Sequence, residues 1–143
     1  MPAIGFISPA LYYRDAHAAL EFLQRAFGFR CRLVVPDDKG GVAHAELTYR
    51  DSVVMLSSAK ADKGWLSPLD MGGVNQTLAV IVEDPDAHYQ IACEAGANIV
   101  RELADEEYGG RGYEVRDAEN HAWYFGSYVP GAWWEGDVPD TPG

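Results

Sequence analysis

YGGRGYEVRDAENHAWYFGSY, residues 108–128, reads as two β-strands joined by an Asp-rich turn and closed by aromatic residues. An earlier stretch, VAHAELTYRDSVVMLS at 42–57, is its shorter counterpart. Tyr49-Arg50-Asp51 stands in the first where Val115-Arg116-Asp117 stands in the second. Two copies of one strand pair point to a duplicated module, and the residues on the inward positions of those strands then decide the chemistry.

The signals around each pair extend the repeat. Residues 4–13 are apolar and rich in β-formers, and Pro9 confines that strand to an edge or a kink. Asp15 caps a predicted helix over 16–27, in which Ala19, Leu20, Phe22, Leu23, Ala26 and Phe27 recur at helical spacing, and Gly28 stops it. A strand at 29–35 and a turn at 36–41 lead to strands 42–49 and 53–58, which turn at 50–52. The pattern restarts with a strand at 75–82, a helix at 85–95 behind Asp84, Gly96 as its stop, a strand at 97–103 and an acidic loop at 104–110. Asp15 and Asp84 are 69 residues apart, Gly28 and Gly96 are 68 apart, and Asp51 and Asp117 are 66 apart. Near-constant offsets between such markers indicate two tandem βαβββ units, an α+β chain.

The organisation this predicts is one domain over 1–143. Module one spans about 4–58, a connector 59–74, module two about 75–128, and an irregular tail 129–143. Trp65 and Leu66 are apolar residues in the connector, which implies that it packs over something. Trp133 and Trp134 would pin the tail to the body or to a second subunit.

With 48% apolar residues the chain has the material for a core. Its 22 acidic and 11 basic residues give a formal charge of −11, which argues against nucleic acid and against anionic membrane surfaces. That acidity favours cationic small molecules, or serves solubility alone. Cys31 and Cys93 are too few for a disulfide framework. There is no apolar run of signal-peptide or membrane-spanning length. The expected location is therefore the reducing cytoplasm.

Several side chains are candidates for a site. His44 and Glu46 lie two apart on one strand and so share a face, opposite Ala45, Leu47 and Tyr49. They read as a polar anchor for a ligand, as an acid/base pair, or as a hydrogen-bonded pair on a sheet. Arg111 is a partner for a carboxylate, on a ligand or on Glu46, or forms an ordinary ion pair. Tyr12, Trp65, Tyr124 and the Trp133-Trp134 pair could stack on a planar ligand, although most aromatics serve the core. His17 and His88 lie early in the helices and read as solvent-facing, and turn chemistry accounts for His121. Gly72-Gly73 and Gly109-Gly110 lack a following Lys-Ser/Thr, so there is no phosphate cradle.

The ordered set YRDAHAALEFLQRAFGF (13–29), HAELTYRDSVVML (44–56), VEDPDAHYQIACEAGA (82–97) and residues 108–128 resembles the vicinal oxygen chelate superfamily. That group includes glyoxalase I, the extradiol dioxygenases and the bleomycin-resistance proteins. The resemblance covers nearly all of 4–128. It implies two curled sheets forming a cup, with helices outside. In the active members it also implies one divalent metal, held by the first and last strand of each module. Carried onto this chain, the ligand positions fall on Ser8, Met55, Thr77 and Tyr124, and a one-residue slip brings in no carboxylate or imidazole. A hard catalytic metal needs such donors.

The chain thus departs from the metal-bearing pattern and looks like the metal-free branch. The resemblance then implies a homodimeric binding protein with no metal and no cofactor, sequestering an aromatic or cationic antibiotic-like compound. Tyr12, His44, Glu46, Trp65, Arg111 and Tyr124 are its candidate ligand contacts. The alternatives are a glyoxalase-like lyase or isomerase or a dioxygenase using a divalent metal, and a metal-free enzyme with a Tyr or His base.

Overall fold

A computed structural model describes residues 6–131. Module one runs β1 (Ala10–Tyr13), α1 (Ala16–Phe27), β2 (Arg30–Pro36), β3 (Val42–Tyr49) and β4 (Ser52–Ser58). Module two runs β5 (Thr77–Ile81), α3 (Pro85–Glu94), β6 (Asn98–Asp105), β7 (Arg111–Arg116) and β8 (Ala122–Gly126). Each forms a four-stranded mixed sheet of the same topology, β1-β4-β3-β2 and β5-β8-β7-β6. The first strand is parallel to the last, and the other pairs are antiparallel. Ala10 pairs with Met55 and Ala79 with Tyr124, so the duplication extends to the register. This is the tandem βαβββ arrangement predicted from the marker offsets.

Local signals set the helix ends. Asp15 accepts from the Ala18 N–H at 3.0 Å and Asp84 from the Ala87 N–H at 3.1 Å, each satisfying an otherwise orphan donor. Gly28 closes α1 in the left-handed region at φ 81°, a conformation that suits glycine.

Three boundaries differ from the sequence reading. The ladder of β1 begins at Ala10, with only a single bond before it, from the Met55 N–H to Pro9 O at 2.9 Å. Proline lacks a donor, so it marks the start of an edge strand. β6 continues to Asp105 through two register shifts, which absorb part of the expected loop. The connector is also more regular than expected. It holds a 3-10 turn at Ala61–Lys63 and a one-turn helix, α2 (Pro68–Met71), capped by Ser67.

One core cluster spans both modules. Phe27 and Phe29 meet Trp123 and Phe125 at ring-centroid distances of 4.7 to 5.7 Å. Burying a side chain of Phe27's size contributes about 2–3 kcal/mol, so this junction does much to hold the modules together. His88 belongs to the same junction and is not solvent-facing. Its Nε2–H donates to the Phe27 carbonyl at 2.9 Å, and its Nδ1 lies 2.6 Å from the Tyr113 hydroxyl. The cause is that α3 packs on α1, which turns this position inward.

The β7–β8 turn is a second junction, built from buried polar groups. Asp117 accepts from the Tyr13 hydroxyl at 2.7 Å, from Trp123 Nε1–H at 3.0 Å, and from the N–H groups of Glu119 and His121. Glu119 accepts from the N–H groups of Arg14 and Asp15 and from the Ser67 hydroxyl, at 2.6 to 2.9 Å. The His121 ring donates to the Tyr12 carbonyl at 2.9 Å, so this residue also links the modules beyond serving its turn. Among the described residues no buried side-chain polar atom lacks a partner, as expected where each unpaired group is costly.

Candidate functional site

Strand alternation gives each sheet a helix side and an open side. On β3, Ala45 and Leu47 are buried toward α1, and His44 and Glu46 lie on the open side. His44 Nε2 is 2.9 Å from Glu46 Oε2, and Arg32 Nε is 3.5 Å from Glu46 Oε1. The hydrogen bond from His44, aided by the Arg32 charge and opposed by desolvation, holds the Glu46 carboxyl below its ordinary value.

Tyr12 faces the same side. The connector returns over it through paired backbone bonds between Lys60 and Trp65, at 2.7 and 3.1 Å. This places the Trp65 ring on Tyr12, with centroids 5.0 Å apart and planes 12° apart, a stacked pair. Tyr12, Trp65, His44, Met55, Ser57 and Lys60 line a cleft of about 160 Å³. The ammonium groups of Lys60 and Lys63 stand 5.7 and 5.0 Å from the Trp65 ring centroid, so two positive charges flank this ring despite the acidic chain.

Tyr124 lies on the open side of the other sheet. Its hydroxyl donates to Glu106 Oε2 at 2.5 Å, the same oxygen that accepts from Tyr108 at 3.1 Å and from Arg101 at 2.7 Å. Arg101 also binds Glu114 at 2.8 Å. Burial pushes the Glu106 carboxyl up, but the hydrogen bonds from Tyr124 and Tyr108 and the Arg101 charge outweigh it and leave the group below its ordinary value. The Tyr124 hydroxyl is pushed well up, by burial first and then by the same hydrogen bond.

Arg111 is committed elsewhere. It binds Asp86 at 2.8 Å and Asp105 at 3.2 Å, both in its own module, and does not meet Glu46.

The six candidate residues therefore do not converge within one chain. Tyr12, His44 and Trp65 share one cleft, with Glu46 beside it through His44. Tyr124 lines a separate cleft of about 370 Å³ with Tyr108 and Tyr128. A larger cleft of about 620 Å³, between the modules, is lined by Tyr49, Val54, Leu78, Val80 and Trp123 among others, and holds none of the six. The Trp133-Trp134 pair lies outside the described residues.

The donor chemistry was tested against a divalent metal. Ser8, Met55, Thr77 and Tyr124 offer no carboxylate or imidazole. Among the described residues no three His, Cys, Asp or Glu side chains are placed to hold a metal ion together. His44 and Glu46 supply two donors, already engaged with each other and with Arg32. A catalytic site needs at least three protein ligands of this kind, so these residues do not fit one.

Sequence reasoning missed the partners of Tyr124. Arg101 was hidden in a strand broken by register shifts, and Glu106 and Tyr108 in a stretch read only as an acidic loop. The available signal was the glycine spacing in 108–128. A Cβ on Gly126 would stand 2.6 Å from the Tyr124 hydroxyl, and one on Gly112 would also collide with that ring. These glycines make the bed on which Tyr124 lies flat and reaches Glu106.

Known proteins agree with this architecture. Residues 5–125 match the model of the Glyoxalase/Bleomycin resistance protein/Dioxygenase superfamily. An uncharacterized protein of Mycobacterium bovis is 33% identical over 126 residues, which cover 86% of this chain and 83% of that protein. The crystal structure of TioX from Micromonospora sp. ML1 superposes with a TM-score of 0.72 at 32% identity, covering 88% of this chain and all of TioX. Fosfomycin resistance protein FosX from Mesorhizobium loti shares the fold, with a TM-score of 0.62 at 16% identity over 88% of this chain and 93% of FosX. With its duplicated modules, their common register and this match over 5–125, the chain belongs to the glyoxalase/bleomycin resistance protein/dioxygenase superfamily.

Proposed function

We propose that this chain is a small-molecule-binding protein that takes a planar aromatic compound on the open faces of its sheets without a metal. The Tyr12–Trp65 stack beside the His44–Glu46 pair carries this reading. A preformed aromatic platform next to a polar anchor supplies affinity through flat apolar contact and orientation through one or two hydrogen bonds. Each added aromatic stack is worth about 0.5–1.5 kcal/mol beyond the area it buries. Lys60 and Lys63 crowd Trp65, which favours a neutral or anionic aromatic in this cleft over a cationic one. The metal-assisted lyase or dioxygenase reading lacks the donors described above.

The same reading takes the protein to be a cytoplasmic homodimer whose cups combine open faces from two copies. Two observations support the dimer. The open-side clefts of the two modules share no lining residue, so within one chain they do not join into one cup. Leu33, Val34 and Val35 on the β2 edge are 37, 41 and 42% exposed, an apolar strip that a second copy would cover.

Tryptophan fluorescence titration with neutral, anionic and cationic planar aromatics tests the binding. Saturable quenching by the neutral or anionic members is expected, weakened at least tenfold in Trp65→Ala and in His44→Ala. Absence of saturable binding across the panel would sink the reading. Sedimentation at micromolar concentration tests the assembly, and a monomer there would rule out the shared cup.

A further inference from the structure

The geometry points to a second, chemically different subsite on the open face of module two, where Tyr108, Tyr124 and Tyr128, backed by Glu106 behind the Tyr108 and Tyr124 hydroxyls, receive a small organic ammonium group. These tyrosines line one cleft of about 370 Å³, walled on its other side by Ala79, Val80, Ile81 and Pro130. The Tyr108 and Tyr128 rings meet edge to face, with centroids 4.8 Å apart and planes 86° apart. Tyr124 lies flat on the Gly112–Gly126 bed and so turns one ring face away from the sheet. Gly110 completes the shape: it sits at φ 82°, and a Cβ there would stand 2.7 Å from the Tyr128 backbone nitrogen, so only glycine lets Tyr128 close on the loop. Electron-rich ring faces at several angles around one space are the arrangement that holds a methylated or alkylated ammonium ion.

The charge agrees with the shape. Glu106 is nearly enclosed, its side chain 9% exposed, and its Oε2 takes all three donors, from Tyr108, Tyr124 and Arg101. Its Oε1 accepts none among the described residues. Arg101 is shared between Glu106 and Glu114, so one guanidinium faces two carboxylates and the cluster keeps a net negative charge. The Arg101 guanidinium lies 6.0 Å from the Tyr124 centroid, at the outer reach of a cation–π contact, and does not line the cleft. The cleft thus presents three rings, two of them hydrogen-bonded through their hydroxyls to a carboxylate in a net-negative cluster, the reverse of the lysine-flanked Trp65 cleft. This subsite stands on its own observations and does not require the aromatic reading of module one.

The test compares choline with 3,3-dimethyl-1-butanol, its uncharged isostere, on the full chain, by calorimetry and by the shifts of the tyrosine ring resonances. Choline is expected to bind at least tenfold more tightly than the alcohol, and its affinity should fall as salt is raised. Tyr124→Leu and Glu106→Gln should each weaken it tenfold or more. Tyr108→Leu, at an exposed rim position, should weaken it about threefold and serves if the inner variants fail to fold. Equal binding of choline and the alcohol, no choline binding, or full affinity in Tyr108→Leu and Glu106→Gln would overturn the subsite. Tryptophan quenching by planar aromatics reads the other cleft separately. Choline binding without such quenching would keep this subsite and sink the aromatic proposal, and quenching without choline binding would do the reverse.

Discussion

The Tyr13 hydroxyl donates to Asp117 Oδ2 at 2.7 Å, joining residues 104 positions apart in the buried interior. Burial, followed by the charge of Asp117, pushes that hydroxyl's pKa well up, so it remains a donor at any working pH. Asp117→Ala would leave the Tyr13 hydroxyl and the Trp123 N–H buried and unpaired, at a cost of about 3–5 kcal/mol. Tyr13→Phe removes one donor and should cost about 1–2 kcal/mol. Urea denaturation of the two variants checks the order, and an Asp117→Ala protein as stable as Tyr13→Phe would contradict it.

Glu119 ties the last turn to the β1–α1 junction and to the connector. In Glu119→Gln one oxygen becomes an NH₂ facing a donor, either the Asp15 N–H or the Arg14 N–H and Ser67 hydroxyl. The expected loss is about 1–3 kcal/mol, with faster proteolytic cleavage inside 59–74. Ser67→Ala also removes the cap on α2 and should cost about 1 kcal/mol. Cleavage of 59–74 at the wild-type rate in Glu119→Gln would show that the anchor is not needed.

Burial pushes the His88 ring below its ordinary value, against the opposing hydrogen bond to the Phe27 carbonyl. The unfolded chain takes up this proton near the ordinary histidine value of about 6.5, before the folded protein does. The His88 contribution is therefore full above that pH and is lost as pH falls from there toward the lower folded value. Melting temperatures recorded from pH 7.5 to 5.5 should fall less steeply in His88→Gln than in the wild type. Parallel slopes would remove His88 as the cause.

Gly126→Ala tests the tyrosine bed. The added methyl would meet the Tyr124 ring at 2.6 to 2.8 Å and lift it from Glu106. The expected stability cost is about 1–3 kcal/mol from overpacking, with choline binding lost in proportion to the ring's displacement. An unchanged Tyr124 ring resonance in this variant would show that the ring has room to spare.

The duplication was legible because its markers are local. Asp15, Gly28, Asp84 and Gly96 act on their own helix ends, so their spacing survives in sequence. The faces of β3 were legible for the same reason, since alternation puts His44 and Glu46 opposite Ala45 and Leu47 whatever lies elsewhere. What the sequence hid depends on distant partners. Asp51 and Asp117 occupy matching turns, yet Asp51 is exposed and Asp117 is buried, because only the latter meets Tyr13 and Trp123. His88 was misread because its burial comes from the packing of α3 on α1, and no pattern within α3 announces that. Arg111 offered a charge without an address, and Asp86 and Asp105 supply the address only in three dimensions.

The buried β7–β8 turn also ties the completion of the first module to the last part of the chain to be made. The N–H groups of Arg14 and Asp15 and the hydroxyl of Tyr13 find their acceptors only in residues 117 and 119. A nascent chain therefore carries module one out of the ribosome long before these groups are satisfied. Such long-range closure slows folding and leaves the early half exposed to misassociation. The first module has to wait, incompletely sealed, for nearly the last strands to be made.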